Sequence, residues 1–387
     1  MDSNHSVSIG KNPALAKTRK VIALGFATQG LGYATVMTAL PTFKNRFKLS
    51  EDLLSIIILG VCIAAALGSV LADRLAVKLG SRFAIVIAFI FEAIGIAVAA
   101  FSSSVTVMVA SFLLYGLGLG CLDAALNMQA VMVEQRLGKS ALGGFFACYT
   151  AAAFLGAMIM SATVSTSFGA TTALFIAVTI ALMTALCSKK WLFQQKENAA
   201  VIPETKNPIP QKQLWIFGLI ILIAFTIDSA ISTWSSIYLK DVLASSATVA
   251  PLGYAAYQIG ILITRLSLDF ILKFKNAAWL AATTILIGAI GCAIAGIGHS
   301  LTFAILGFAL AGVAVGALVP LTFSAAGHLD ENRRDEVIAR VNIFNYGGAV
   351  AGAVIVGLLA APIGYGPSFI ALALCLLALL LFRKKLI

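Results

Sequence analysis

Apolar windows of about twenty residues recur twelve times along this chain of 387 residues, and that recurrence fixes the solvent before it fixes anything else. A helix needs about 20 apolar residues, rising roughly 1.5 Å each, to cross a hydrocarbon core of about 30 Å. With 60% of its residues hydrophobic and 11% charged, the chain carries more apolar surface than a water-soluble core could bury. The windows lack the ten-residue alternation of barrel strands, and only 9 prolines interrupt the chain, so helices are expected. They fall near 21–43, 53–72, 83–102, 105–131, 141–165 and 170–188, and again near 213–238, 251–272, 277–298, 302–326, 337–360 and 366–383. The first twenty residues are polar and basic, without an apolar core or a small-residue cleavage site, so no cleaved signal peptide is expected.

Between the two sets of six lies "KKWLFQQKENAAVIPETKNPIPQKQ", with three prolines and five lysines. The expected organisation is a tail (1–20), a six-helix bundle (21–188), a linker (189–212) and a second six-helix bundle (213–387). Lys and Arg orient the spans. With both termini inside, cytoplasmic segments hold 22 of them and outer loops hold 4, with Arg265 inside a span. That asymmetry predicts a multi-pass membrane protein with both termini in the cytoplasm. It also accounts for the net charge of +11 without a nucleic-acid partner.

The halves resemble each other. The interval from Asp73 to Asp269, 196 residues, also carries Gly116 to Gly312, Gly120 to Gly316, Glu134 to Asp330 and Gly156 to Gly352. Six-helix halves repeated in parallel are a transporter architecture.

Other chemistries find no support. The six cysteines, all in apolar segments, lack metal-ligand spacing and read as small packing residues. No phosphate loop is present, and His5, His299 and His328 fall in tails or loops. No metal, cofactor or enzymatic activity is expected.

The chemistry sits on polar groups inside the apolar spans. In "GLGLGCLDAALNMQA", residues 116–130, Gly116, Gly120, Asp123 and Asn127 step by four, three and four and share a helix face. A charged Asp at a helix centre costs about 2.5–3.5 kcal/mol on insertion scales, so Asp123 is expected to face a bundle interior or a wet cavity. It either serves transport or makes a packing hydrogen bond to Asn127 or a neighbour. Asp228 lies near the middle of the seventh span with Ser232, Ser235 and Trp234 beyond it, a set that suits a polar solute or a protonation site. Glu92, in the third span, is either a coupling group or a neutral packing residue. Tyr254, Tyr257, Gln258, Arg265 and Asp269 supply polar groups to span 8. Arg265 lies roughly 21 Å from the outer end, at about 1.5 Å per residue. It is expected to pair with Asp269 or Asp123, or to touch solute. Gln29 and Tyr33 in span 1, Tyr149 in span 5, and Asn342, Asn345 and Tyr346 in span 11 complete the candidate cavity.

Over nearly its whole length the chain resembles the major facilitator superfamily. "ADRLAVKLGSR" is similar to that family's Gly-x-x-x-Asp-Arg-x-Gly-x-Arg signature, with Lys78 and Val77 at the Arg and Asp positions and Asp73 at the leading Gly. "GLGLGCLDAALNMQA", "VEQRLG", "IDSAISTWSSIYLKD", "GYAAYQIGILITRLSLDF" and "GALVPLTFSAAG" resemble a bacterial branch related to fucose-type sugar permeases. Many relatives have a His where Phe146 stands here. The resemblance implies a cavity lined by spans 1, 4, 5, 7, 8, 10 and 11. Drug antiporters of the superfamily show an Arg in span 4 and Gly-Pro in span 5. Phe112 and "FLGAMIMSA" stand there instead.

The sequence therefore predicts an all-α membrane protein of twelve transmembrane helices in two pseudo-symmetric six-helix bundles. It is expected to act as a monomer, moving a small polar solute such as a sugar by alternating access and proton symport. Asp228, Asp123 or Glu92 would carry the proton, with the proton gradient as driving force. Asp73, Arg74, Arg82, Glu134, Asp269 and Asp330 are expected to form a cytoplasmic gate, and Asp123 and Arg265 to face one vestibule. Export of a metabolite or drug by proton antiport is the alternative. A non-transporting receptor is a third class, for which the linker is too short an output domain.

Overall fold

The computed structural model describes residues 13–137, 141–194, 210–330 and 334–386. Most of the expected tail (1–12) and most of the expected linker (195–209) lie outside the described residues. The described residues are all-helical, and 12 helices are long and apolar enough to cross a membrane.

In order they are α1 (Pro13–Phe47), α2 (Glu51–Leu79), α3 (Ser81–Phe101), α4 (Val105–Leu137), α5 (Leu142–Thr163) and α6 (Ala170–Trp191). There follow α7 (Gln211–Ile237), α8 (Leu252–Leu272), α9 (Ala277–Ile297) and α10 (Leu301–Gly327). The eleventh span is composite: α11 (Arg334–Val350), a π-helical turn (Ala351–Ile355) and α12 (Val356–Ile363). The last is α13 (Tyr365–Ala378), ending in a 3₁₀ segment, Leu379–Leu386. Helices α1, α2 and α4 overrun their apolar windows by several residues. Hydropathy ends a span where polar residues begin, whereas the helix continues on backbone hydrogen bonds. A second π-helical turn, Tyr238–Val242, extends α7.

Glycine decides how closely these helices approach. A Cβ on Gly120 of α4 would run into the Ala65 carbonyl of α2, and one on Gly316 of α10 would meet the Ile261 carbonyl of α8 at 2.9 Å. A Cβ on Gly95 would meet the Ser111 carbonyl at 2.8 Å, and one on Gly291 the Gly307 carbonyl at 2.5 Å. In each case both members of the first contact are related to those of the second by the interval of 196 residues seen in the sequence. Glycine coincidences in apolar sequences come easily, but matching contact pairs do not, so the internal repeat is a property of the packing.

By contact the chain falls into two compact units. The first takes the described residues of Met1–Gly32, Ile63–Ala152 and Leu174–Val201. The second takes Tyr33–Cys62, Ala153–Ala173 and the described residues of Ile202–Ile387. The second unit thus combines the far ends of α1 and α2 and the α5–α6 hairpin with α7 to α13.

Candidate functional site

In the second unit the site is built on α7. One face of α7 is committed to the eleventh span. A Cβ on Gly348 or Gly352 would strike the Leu222 or Thr226 carbonyl, Ser229 Oγ donates to the Ala349 carbonyl at 2.7 Å, and Trp234 Nε1 donates to the Ala353 carbonyl at 2.9 Å. The remaining face carries Asp228. Tyr257 of α8, itself buried, donates its hydroxyl to Asp228 Oδ1 at 2.8 Å. The Arg265 guanidinium, two turns along α8, acts on the same carboxylate electrostatically. Tyr33 of α1 is close enough to feel the Asp228 charge, and Ser232 Oγ approaches the Tyr33 hydroxyl without full hydrogen-bond geometry. Gln258 Nε2 donates to the Tyr254 hydroxyl at 2.6 Å, both groups being buried. Three spaced sequence candidates, Tyr33, Tyr257 and Arg265, therefore gather around the Asp228 carboxylate.

Trp234 has no exposed surface, and its one polar atom is spent on Ala353. Its ring packs 5.8 Å from that of Tyr365, and a Cβ on Gly357 would collide with it. Asn342 and Asn345 are half-buried and Tyr346 is exposed on α11.

The first unit holds a second polar group. Gln29 of α1 lies beside the Asp123 carboxylate of α4, and the Gln29 Oε1 atom is buried without a protein partner. Asn127 donates to the backbone carbonyl of Asp123 at 2.9 Å rather than to its carboxylate. Glu92 is buried in α3 beneath Gly118 of α4, where a Cβ would sit 3.0 Å from its Cγ. Its Oε1 has no hydrogen-bond partner in the protein, and it feels the charge of Asp123. A Cβ on Gly30 would hit the Tyr149 carbonyl, so that tyrosine lies where α1 and α5 touch. Phe146 stands edge-on to Phe26, centroids 5.4 Å apart. Asp123 belongs to the first unit and Arg265 to the second.

The expected gate residues lie towards the ends of α2, α4 and α8, at the start of α3 and just beyond α10. Glu134 Oε1 accepts the backbone N–H groups of Ala141 and Leu142 at 2.5 and 3.0 Å, so it caps the start of α5. Asp73, Arg74, Arg82 and Asp269 form no ion pair among the described residues. Asp330 is half-buried just beyond α10.

A charge cluster that the sequence did not single out lies at the opposite end of the helices, where α1 meets α2 and α7 meets α8. Lys44 Nζ sits 2.7 Å from Glu51 Oε1 and 2.5 Å from Asp241 Oδ2. The π-helical turn Tyr238–Val242 delivers Asp241. The Tyr365 hydroxyl is buried nearby, without a protein partner and within reach of both carboxylate charges. The sequence showed a charge at the end of each span but gave no means of pairing them.

Comparison with known proteins gives a consistent picture. The family model of the Major Facilitator Superfamily matches residues 22–330. An uncharacterised MFS-type transporter of Yersinia pestis is 27% identical over 354 residues, covering 92% of each chain. Among solved structures, the nucleoside transporter NupG superposes with a TM-score of 0.74 at 13% identity, covering 96% of this chain and 99% of its own. The MFS transporter FucP in its outward conformation gives 0.65 at 16% identity, covering 97% and 99%. At such identities the structures speak for the fold.

Proposed function

The chain belongs to the Major Facilitator Superfamily and is a multi-pass membrane transporter rather than an enzyme; from that premise we propose that it is a proton-coupled symporter of a small polar organic solute. The observation that carries this reading is Asp228 and the groups gathered on it. A carboxylate lies 17 residues from the start of α7 and 14 from the end of its π-helical turn, near mid-membrane. It holds one phenol by hydrogen bond, with a second phenol and a guanidinium near it. Phenols, hydroxyls and a guanidinium offer donors to a polyhydroxylated solute, and the carboxylate can alternate between a charged and a protonated form. The fold's likeness to the nucleoside transporter NupG fits a sugar or a related metabolite.

The proton enters from outside and leaves to the cytoplasm, with both termini cytoplasmic. The protein acts as a monomer in the bacterial inner membrane and needs no cofactor beyond the proton gradient. Asp123, with Gln29 and Glu92 beside it, is the second coupling group.

A thermal-shift screen against a metabolite library identifies the solute, since a ligand selective for the fold raises its apparent stability. In proteoliposomes, Asp228→Asn is then expected to lose accumulation under an imposed pH gradient while keeping exchange. Undiminished uphill uptake by this variant would overturn the assignment.

A further inference from the structure

Asp228 and the Lys44 cluster occupy the two ends of one stretch of α7. Asp228 and Asp241 are 13 residues apart, about 20 Å at a rise of 1.5 Å per residue. Between them lie Ser232, Ser235 and Ser236. All three are fully buried, and the Oγ atom of each lacks a hydrogen-bond partner in the protein. A helical serine ordinarily satisfies itself on the carbonyl one turn back. Ser55, Ser111 and Ser267 of this chain do so, bonding Glu51, Val107 and Ile263. The α7 serines do not. At the far end the buried Tyr365 hydroxyl, brought in by a different helix, is equally unpartnered beside Glu51 and Asp241.

Each buried, unpartnered hydroxyl carries an uncompensated desolvation cost. Three along one stretch of α7 are a cost that buried water relieves, and water in proteins settles where polar groups converge. The spacing fits such water. At about 100° per residue the three serines stay within about 80° of the Asp228 direction. Ser232 is one turn from Asp228, and Ser236 one turn further, steps of about 6 Å each. Two O–H···O bonds through one water span roughly 5.6 Å.

We propose that this column is a proton-entry path. Water held by Ser232, Ser235, Ser236 and the Tyr365 hydroxyl connects the Glu51–Lys44–Asp241 cluster to Asp228. The inference rests on the reading of Asp228 as proton carrier and adds how its proton arrives. One hydronium at the cluster gives up a proton to the first water. Each member of the column accepts one proton and passes one on. The last transfer forms an O–H bond at Asp228 Oδ2, while Tyr257 keeps its donation to Oδ1. One proton leaves solution, one carboxylate becomes neutral, and no other reactant is consumed. The charged and titratable groups that face Asp228 are Tyr257 and Arg265 from α8 and Tyr33 from α1. Those at the entrance are Lys44, Glu51, Asp241, Lys240 and Tyr365.

The test uses the full chain in proteoliposomes, with protons as the only probe. External pH is dropped by rapid mixing, and time-resolved infrared spectroscopy follows the C=O stretch of a newly protonated carboxyl group. The band that Asp228→Asn removes belongs to Asp228. In the triple variant Ser232→Ala, Ser235→Ala, Ser236→Ala its rate of appearance should fall about tenfold, a barrier rise of roughly 1.4 kcal/mol. Ser235→Thr, which keeps a hydroxyl, should stay near the parent rate. If the triple variant does not fold, Ser235→Ala and Ser236→Ala alone should each slow the band measurably. An Asp228 band that rises at the parent rate in the serine variants rejects the path and leaves Asp228 as carrier. If Asp228→Asn removes no pH-dependent band, Asp228 is not the carrier and the path falls with it.

Discussion

Lys44 at the end of α1 reaches Asp241 at the end of α7, 2.5 Å between Nζ and Oδ2, and so ties the first half of the chain to the second. The same ammonium holds Glu51 of α2 at 2.7 Å. The contact depends on the π-helical turn Tyr238–Val242, in which the Leu243 N–H reaches back to the Tyr238 carbonyl. Ala244 follows at φ 50, a backbone state that a residue with a Cβ rarely adopts. Such local strain persists where surrounding contacts hold it. Ser161 of α5 bonds the Thr248 carbonyl at 2.5 Å and gives the same end a second tie.

Lys44→Met should loosen this end. Partly exposed ion pairs contribute about 0.2–1 kcal/mol each, so losing two should shift a conformational equilibrium by roughly two- to thirtyfold. Spin labels at Ser50 and Ser246, both exposed and flanking the cluster, report the change as a longer or broader distance distribution. An unchanged distribution would show that the cluster does not hold these ends together.

Trp234→Phe tests whether this residue anchors α7 to the eleventh span. The indole N–H to Ala353 is a fully buried bond, and the substitution removes that donor. A loss of about 1–3 kcal/mol is expected, read as a lower Tm in detergent. Parent-like thermal stability would assign Trp234 to the solute instead.

Glu134 and Asp73 lie on the same side of the chain's helices yet should behave in opposite ways. Glu134 accepts two backbone N–H groups at the start of α5, so Glu134→Ala should cost about 0.5–2 kcal/mol, as the loss of a helix cap does. Asp73 is exposed and forms no ion pair among the described residues, so Asp73→Asn should change stability by less than about 0.5 kcal/mol. Equal melting shifts in the two variants would contradict this division.

The comparison between sequence and structure divides along physical lines. The twelve spans were legible because lipid demands about twenty apolar residues in a row, a one-dimensional signal. The carboxylates Asp123 and Asp228 were legible for the same reason, as charges inside such runs. Their partners were not. Asn127, one turn from Asp123, was one of the packing partners that the spacing allowed for it. It bonds the Asp123 backbone carbonyl, while Gln29, from another helix, lies beside the carboxylate. Trp234 read as an aromatic beside a site, and its indole N–H is held by the Ala353 carbonyl of another helix. Lys44, Glu51 and Asp241 looked like ordinary charges at helix ends until folding brought them together. Tertiary partners depend on which face each helix presents, and periodicity gives that only when an apolar stripe contrasts with a polar one. A helix apolar all round gives no such contrast.

The repeat is the part of the sequence reading that the packing tests most sharply. Gly120 and Gly316 each face a backbone carbonyl of a neighbouring helix, Ala65 and Ile261, at positions related by one interval. A methyl group added at either must push two backbones apart. Gly120→Ala and Gly316→Ala should therefore each destabilise by about 1–3 kcal/mol, the usual cost of overpacking. Nothing lies within 4 Å of a Cβ placed on Gly143 of α5, so Gly143→Ala should be neutral or stabilising by up to about 1 kcal/mol through helix propensity. Melting temperatures of the three purified variants give the comparison directly. If Gly120→Ala and Gly316→Ala melt like Gly143→Ala, the helices at these crossings are not held at glycine distance, and the paired contacts do not express a structural repeat.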